Sequence, residues 1–559
     1  MASGKIIVHV FFMPYLFVVL PIISSSRSAC PDHCTCDSVR HLVNCQNAGL
    51  RHVPWDLPDP VSLTHLDLSN NEITEINAPF VYSNLRYLDL SGNKIILIRE
   101  GILQDLRALE VLTLKDNRLS TIDREIFDGM KELRKLDLSF NQLTSLDELA
   151  FAGLPLLEDL NLAGNLLSNI SAMTFQGLKS LQYLDLEDNR IMSVNERGLF
   201  NDLRLLKVLS LGYNHLGSLN ADVFSKLVML RDLNLEDNKI AHVDDRAFST
   251  IKPSPVPQLE TLNLRNNKLS KVPTSALTHL SNLKMLDISQ NPMEVLHSGA
   301  FNGLKQLRKV QVNAMPNLDT IQDHAFSELC NLEEIELHSN HRLQTLVEGV
   351  FLGTPELSKI DLHANALRTI SINLLDWDSL RHLDLRYNRW HCDCHLAWLP
   401  HVLRERFNNA TQYLTQEIRC FSPPDLATRL VVELHDDDLR ECTDSVEAIT
   451  PSVKPAKFQD SIMIAIMCTI GGILVIIIVV LMCKYSSSYR TAYAPAMDHY
   501  VYRNPHKSSD SDVESQKVPV IEGQKVPGLR SSLSSVSDVG KPRRERRLYR
   551  VRFAESDPN

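Results

Sequence analysis

The chain has no excess of positive charge: 58 Lys and Arg face 68 Asp and Glu, a formal net charge of −10 over 559 residues. The positive excess that exists is confined to the tail after Cys483, with 14 Lys/Arg and 9 Asp/Glu. With that tail and the early Lys5 and Arg27 set aside, the segment between carries about −17. Phosphate recognition needs a net positive face, so nucleic acid is excluded as its ligand. Catalytic signatures are missing too. No paired catalytic groups stand in a recognisable motif, so neither an enzyme nor a cofactor is expected. The 76 residues after Cys483 are too few for a kinase or a Toll-type signalling domain.

Charge is absent altogether from two apolar runs. Lys5 is followed by IIVHVFFMPYLFVVLPII and then by small residues, with Ser26 and Ser28 at −3 and −1 of a cut before Ala29. Residues 1–28 therefore read as a secretory signal, the alternative being a first membrane helix that is retained. Ile462–Cys483 is a run of 22 residues without charge. As a helix it would reach ~33 Å, enough to cross a bilayer. Asp460 precedes it, while Lys484 and Arg490 follow, which puts the C-terminus in the cytoplasm. A single-pass type I protein of the plasma membrane is expected, with its N-terminal part outside the cell.

Between these runs, L-x-x-L-x-L-x-x-N recurs fourteen times, mostly at a stride of 24 residues. The first copy is Leu63, Leu66, Leu68, Asn71; the last is Leu380, Leu383, Leu385, Asn388. Only the eleventh copy lacks the Asn, with Met315 in its place. The L-x-L pair predicts a short strand with both leucines inward, and stacked copies predict a parallel sheet. The Asn turns the chain inside a buried corner, where its amide serves main-chain groups that water cannot reach. A column of Phe127, Phe151, Phe175, Phe200, Phe224, Phe248, Phe301, Phe326 and Phe351 keeps the same period and should fill the side opposite the sheet. No copy can bury its own apolar face, so stability comes from neighbours. Regularity breaks twice: at the proline-rich IKPSPVPQ between repeats eight and nine, and around the Asn turns of repeats eleven and twelve.

Cysteines flank the array: Cys30, Cys34, Cys36 and Cys45 before it; Cys392, Cys394, Cys420 and Cys442 after it. The secretory route favours disulfides over zinc, but four cysteines allow three pairings per block. Leucines and cysteines together resemble the extracellular leucine-rich-repeat family over about 330 residues. That resemblance implies Cys30–Cys36 with Cys34–Cys45, and Cys392–Cys420 with Cys394–Cys442. It also implies an α/β solenoid, a horseshoe capped by disulfides at both ends. The expected division is signal 1–28, N-terminal cap 29–62, repeats 63–388, C-terminal cap 389–442, stalk 443–460, membrane helix 461–483 and disordered tail 484–559. The layout is similar to Capricious/Tartan-type adhesion receptors, which implies a cell-surface receptor for a protein ligand, with homodimerisation as a further option. An accessory subunit that regulates a neighbouring membrane protein, or recruits protein phosphatase type 1 to it, is the alternative.

Solvent-facing positions of the strands are the expected binding surface. Repeats five to eight place Asp159, Asp185, Glu187, Asp188, Asp232, Glu236 and Asp237 there, with Tyr87, Tyr183 and Tyr213 as candidate anchors. Asp at the position between the strand leucines is ordinary for the motif, so Tyr183, Glu187, Asp188, Asp232, Glu236 and Asp237 are the residues singled out for binding a basic protein patch. Repeats eleven to fourteen offer Lys309, Lys359, Arg386, His338, His363 and His382 instead. His338 and His363 share a column of adjacent repeats; metal binding, acid sensing and a plain solvated pair all fit that spacing. Asn169-Ile-Ser and Asn409-Ala-Thr are N-glycan acceptors. Cys330 is left over once the caps are paired.

In the tail, Arg550-Val551-Arg552-Phe553 resembles the R-V-x-F docking motif for protein phosphatase type 1. Val551 and Phe553 would enter apolar pockets from one side of an extended strand. Ser509 and Ser511 stand ahead of acids, Tyr502 begins a Y-R-N-P stretch, and Cys483 lies at the membrane edge, which suits phosphorylation at the first three and palmitoylation at the last. Arg543-Arg544-Glu545-Arg546 resembles an arginine-type retrieval signal.

Overall fold

A computed structural model describes residues 30–249, 258–407 and 417–439. The signal, the stalk, the apolar run 461–483 and every tail motif (Cys483, Tyr502, Ser509, Ser511, Arg550, Val551, Phe553) lie outside the described residues, as do Asn409, Cys442 and most of the proline-rich insertion. Among the described residues, no helix is long and apolar enough to cross a membrane.

Each x-L-x of the repeat forms a three-residue strand, from His65–Asp67 to His382–Asp384, and its central residue is buried while its neighbours reach the surface, except Asp384, which is buried too. Fourteen such strands pair in parallel without offset: His65 faces Tyr87, Tyr87 faces Val111, and so on to Lys359 and His382. With the N-terminal hairpin they make a sheet of 16 strands in chain order, apart from small side pairs. The proline-rich insertion leaves this register intact, since Asp232 still pairs with Thr261. Repeats eleven and twelve, irregular in sequence, also keep it, with Lys309 opposite Glu334.

The asparagines bind each turn to the one before. In Asn165, Nδ2 donates to the carbonyls of Leu138 (3.1 Å), Leu162 (2.9 Å) and Ala163 (3.3 Å), while Oδ1 accepts from the Leu143 N–H (3.1 Å). Met315 cannot do this; it is buried as an apolar plug, and its own N–H donates to Oδ1 of Asn340 at 2.8 Å. The residue before each ladder position has positive φ in all fourteen repeats, from Asn70 (55°) to Tyr387 (59°). That turn lets the next side chain point back under the sheet. Asn, Asp and Gly suit it, but Phe140, Tyr213 and Tyr387 occupy it at a steric cost.

Opposite the sheet the phenylalanines are buried and stack at the repeat spacing, with ring centroids 6.0 Å apart for Phe127–Phe151 and 5.2 Å for Phe301–Phe326. The α half of the expected α/β solenoid is corrected here. Among the described residues the returns between strands are mostly turns, with short strand pairs, a 3-10 turn at Ile372–Leu374 and one four-residue α-helix, Thr274–Leu277. With about 24 residues per copy, strand and Asn corner leave too little chain to nucleate a longer helix.

Both ends are sealed. Thr35–Asp37 and Leu42–Asn44 form an antiparallel hairpin whose second strand pairs with the first repeat. Cys30–Cys36 and Cys34–Cys45 are bonded there. At the other end Trp390–His391 pairs with Cys420–Ser422, and the helix Leu399–Arg406 covers the last repeat. Cys392 is bonded to Cys420; Cys394 is also in a disulfide. Cys330 is half-buried.

Candidate functional site

Because register never shifts, sequence positions convert directly into a grid on the exposed sheet face. Repeat six contributes Tyr183, Asp185, Glu187 and Asp188; repeat seven Val208, Ser210, Gly212 and Tyr213; repeat eight Asp232, Asn234, Glu236 and Asp237. Gly212 lies between Glu187 and Glu236, and its missing side chain lets Asn234 and Glu236 close over it. A Cβ there would lie 3.0 Å from Asn234 Nδ2 and 3.3 Å from Glu236 Cγ. Tyr213, 38% exposed, stands between Asp188 and Asp237, and Tyr183, 47% exposed, flanks Asp185. All six residues singled out in the sequence belong to this one patch, and Tyr213 joins them.

Local hydrogen bonds orient the carboxylates without neutralising them. Glu187 Oε2 accepts from Ser210 Oγ (3.1 Å), Glu236 Oε2 from Asn263 Nδ2 (3.1 Å) and Asp237 Oδ1 from Asn266 Nδ2 (2.6 Å). Among the described residues, none of Asp185, Glu187, Asp188, Asp232, Glu236 and Asp237 has a cation within salt-bridge distance. Asp159, at the patch edge, does: Lys135 Nζ is 2.8 Å away. Burial pushes the Glu187 carboxyl above its usual range, and Asp185, Glu236 and Asp188 push the same way. Asp185 is raised by burial and then by Asp137 and Asp159. Burial and the surrounding acids raise the Tyr213 phenol.

A carboxyl with a raised folded-state pKa binds protons more readily folded than unfolded. Stability is therefore lost as pH rises through that window and regained as pH falls. Glu187→Gln keeps an acceptor for Ser210 and removes the charge. It should raise the melting midpoint by about 1–2 °C near neutral pH, the gain vanishing in acid below the ordinary glutamate range. Thermal unfolding at both pH values checks this, and an unchanged midpoint at neutral pH would show that the patch carries no strain.

The basic residues of repeats eleven to fourteen form no matching positive surface. Lys309 Nζ lies 2.6 Å from Glu334 and 2.5 Å from Glu336, and Lys359 reaches Glu334 at 3.3 Å. Arg386 grips Asp384 with Nη2 at 2.6 Å. Burial would push the Lys309 ammonium down, yet its bonds to those two glutamates raise it. Tyr87 is also committed locally, stacked on His65 and donating to Asp89 at 3.1 Å. Asn169 is exposed, open to modification.

Set against known proteins, the Leucine rich repeat family model matches residues 83–143, 131–191, 193–240, 257–314, 316–367 and 330–390, and a related Leucine Rich Repeat model matches 62–83. Leucine-rich repeat-containing protein 3B of Homo sapiens is 39% identical over 102 residues, covering 17% of this chain and 39% of that protein. Oligodendrocyte-myelin glycoprotein of Mus musculus is 33% identical over 81 residues, 14% of this chain and 18% of its own. The chain thus spans about two fifths or less of these curated relatives. Among solved structures, the Drosophila Toll–Spatzle complex aligns over 71% of this chain and 58% of that one, with 20% identity and a TM-score of 0.53. A repeat protein of Leptospira interrogans aligns over 65% and 93%, with 24% identity and a TM-score of 0.51. Both likenesses are of fold.

Proposed function

The chain belongs to the leucine-rich repeat family, and from that premise we propose that it is a cell-surface recognition or adhesion receptor, single-pass and type I, that binds a protein ligand through the acidic centre of its sheet face. One observation carries the reading: six carboxylates gather around Gly212 and Tyr213 with no cation within salt-bridge distance among the described residues, while Lys309, Lys359 and Arg386 further along are paired with acids. Like charges held together at a cost to stability are a mark of a binding surface awaiting its partner. The matching ligand presents Lys or Arg to the carboxylates around Gly212, with Tyr183 and Tyr213 supplying apolar area beside them. A protein scaffold of this family without catalytic constellation acts through contact, so signalling falls to the short tail motifs, among them the phosphatase-type-1 docking stretch at Arg550, Val551 and Phe553.

The test displays the full chain on cells and screens it against a library of cell-surface ectodomains. Glu187→Lys/Asp232→Lys/Glu236→Lys should reach the surface normally and lose at least ~tenfold in affinity, and wild-type binding should weaken as salt is raised. Unchanged binding by the triple variant would remove the acidic centre as the ligand site. Partners recovered only from the same membrane, with no binding between cells, would replace adhesion by the accessory role.

A further inference from the structure

The last two repeats bring together three groups that the acidic centre does not use. Asp361 ends one strand and Asp384 ends the next, and the two are register partners. His363 follows Asp361 by two residues, its N–H bonded back to Asp361 Oδ1 at 3.0 Å, which fixes where the ring starts. Its Nδ1 lies 2.6 Å from Asp361 Oδ1 and 3.8 Å from Asp384 Oδ2. One ligand atom from each of the three lies within 4.8 Å of the others. The side chain of Asp384 is only 4% exposed and that of His363 26%, so the cluster is walled by protein on one side and reachable by solvent on the other.

We propose that Asp361, His363 and Asp384 form a zinc-binding site with three protein ligands and an outward fourth position. A proton on His363 Nδ1 can serve one carboxylate at a time, and it now serves Asp361. A divalent ion in its place, with bonds of ~2.0–2.2 Å, would need only small side-chain rotations to reach all three donors. Two carboxylates beside one guanidinium leave the cluster a net negative charge, which favours a dication. Arg386 donates to both oxygens of Asp384, with Nε at 2.9 and 3.1 Å, and would orient that ligand as outer-shell partners of metal carboxylates do. His338 lies face to face with His363, ring centroids 4.4 Å apart and 16° from parallel. Its lone pairs lie in its own plane, so while stacked it cannot reach the same ion; it acts as a positioning residue that stops His363 from turning. An imidazole with few oxygens suits zinc and fits calcium or magnesium poorly, since those want six or more oxygens or several retained waters. An ion here would tie the two repeats together next to the C-terminal cap and offer its open position to a donor from a partner.

The full chain, purified in detergent and stripped with chelator, is titrated with zinc chloride by calorimetry. One equivalent should bind with a Kd below about 100 µM, and calcium chloride should give no saturable heat. His363→Gln, which keeps the backbone turn, should weaken zinc more than tenfold while circular dichroism and melting of the metal-free protein stay as in wild type; Asp361→Asn should do the same. Cobalt chloride gives an independent reading, since a visible spectrum of four-coordinate cobalt should appear with wild type and vanish with His363→Gln. Equal zinc affinity in wild type and variant would place the metal elsewhere and overturn the assignment, as would absence of saturable zinc and cobalt binding. Neither result bears on the acidic centre, five and more strands away along the sheet.

Discussion

Asn214→Ala is expected to destabilise the repeat array by roughly 3–4 kcal/mol, well above the effect of an ordinary surface change. Asn214 is 3% exposed and sits in the middle of the ladder. Its Nδ2 donates to Leu186 (2.9 Å), Leu211 (3.2 Å) and Gly212 (3.0 Å), and its Oδ1 accepts from Ile191 N–H (2.9 Å). Alanine keeps none of these. The carbonyl of Leu186 retains Asn189, but the Ile191 N–H loses its acceptor in a place water does not reach. An orphaned buried donor costs more than the bond it once made was worth. Since each repeat is held by its neighbours, a break here also loosens the coupling between the halves on either side. Denaturant unfolding measures the total, and hydrogen exchange should show the Ile191 amide losing protection first. Asn388, half-buried at the end of the array, makes comparable bonds with less at stake; its alanine variant should cost only about 1 kcal/mol. Equal stabilities for wild type and Asn214→Ala would mean that the ladder decorates the turn without holding it.

Met315 gives the natural comparison. At the one rung without an amide, the chain buries a thioether and lets Asn340 of the next repeat take the Met315 N–H.

The sheet and its buried leucines were legible because they depend on spacing alone: a period of two within the strand and a near-constant stride between strands place each Leu without knowledge of any contact. The phenylalanine column was legible for the same reason. The returns were not. Their residues fit a turn or a short helix equally, and the length left over in each copy decides. The positive-φ position before each Asn also escaped the sequence, since Phe140, Tyr213, Gln290 and Tyr387 are residues that seldom adopt it. Only the fixed geometry of the corner places them there. The acidic patch could be collected from the repeat grid, but the want of ion pairs to its carboxylates and the pairing of the basic groups further along could not. That required finding Lys309, Lys359 and Arg386 spent on Glu334, Glu336 and Asp384, partners that are 25 or 27 residues away for the lysines and two for the arginine. Lys309, Glu334 and Lys359 occupy one column, so a cross-strand reading of the grid would have exposed the pairing. The disulfide partners are a different matter, as spacing leaves three connectivities open and geometry must choose.

Cys392→Ala/Cys420→Ala is expected to cost about 3–4 kcal/mol, on the entropy of closing a loop of that length in the unfolded chain. The bridge spans 28 residues and ties the pair Trp390–His391 to Cys420–Ser422. Trp390 is fully buried beneath that pair, with Nε1 donating to the carbonyl of Leu385 at 3.1 Å, so it seals the last apolar layer of the array. Losing the bridge frees the outer strand, and water then gains access to Trp390, Leu385 and the inner face of the helix Leu399–Arg406. The damage should be graded along the chain, because contacts in a stacked array run only between neighbours. Exchange protection should collapse between Leu383 and Leu439, weaken in the two repeats before, and remain near wild type in the repeats around Leu66 to Leu138. Tryptophan fluorescence should shift to the red at denaturant concentrations where the N-terminal repeats are still folded. If protection fell uniformly from one end to the other, the array would be melting as one cooperative unit and the cap would be holding far more than its own edge. The same measurement on Cys34→Ala/Cys45→Ala, where 11 residues are closed, should give a smaller loss confined to the opposite end.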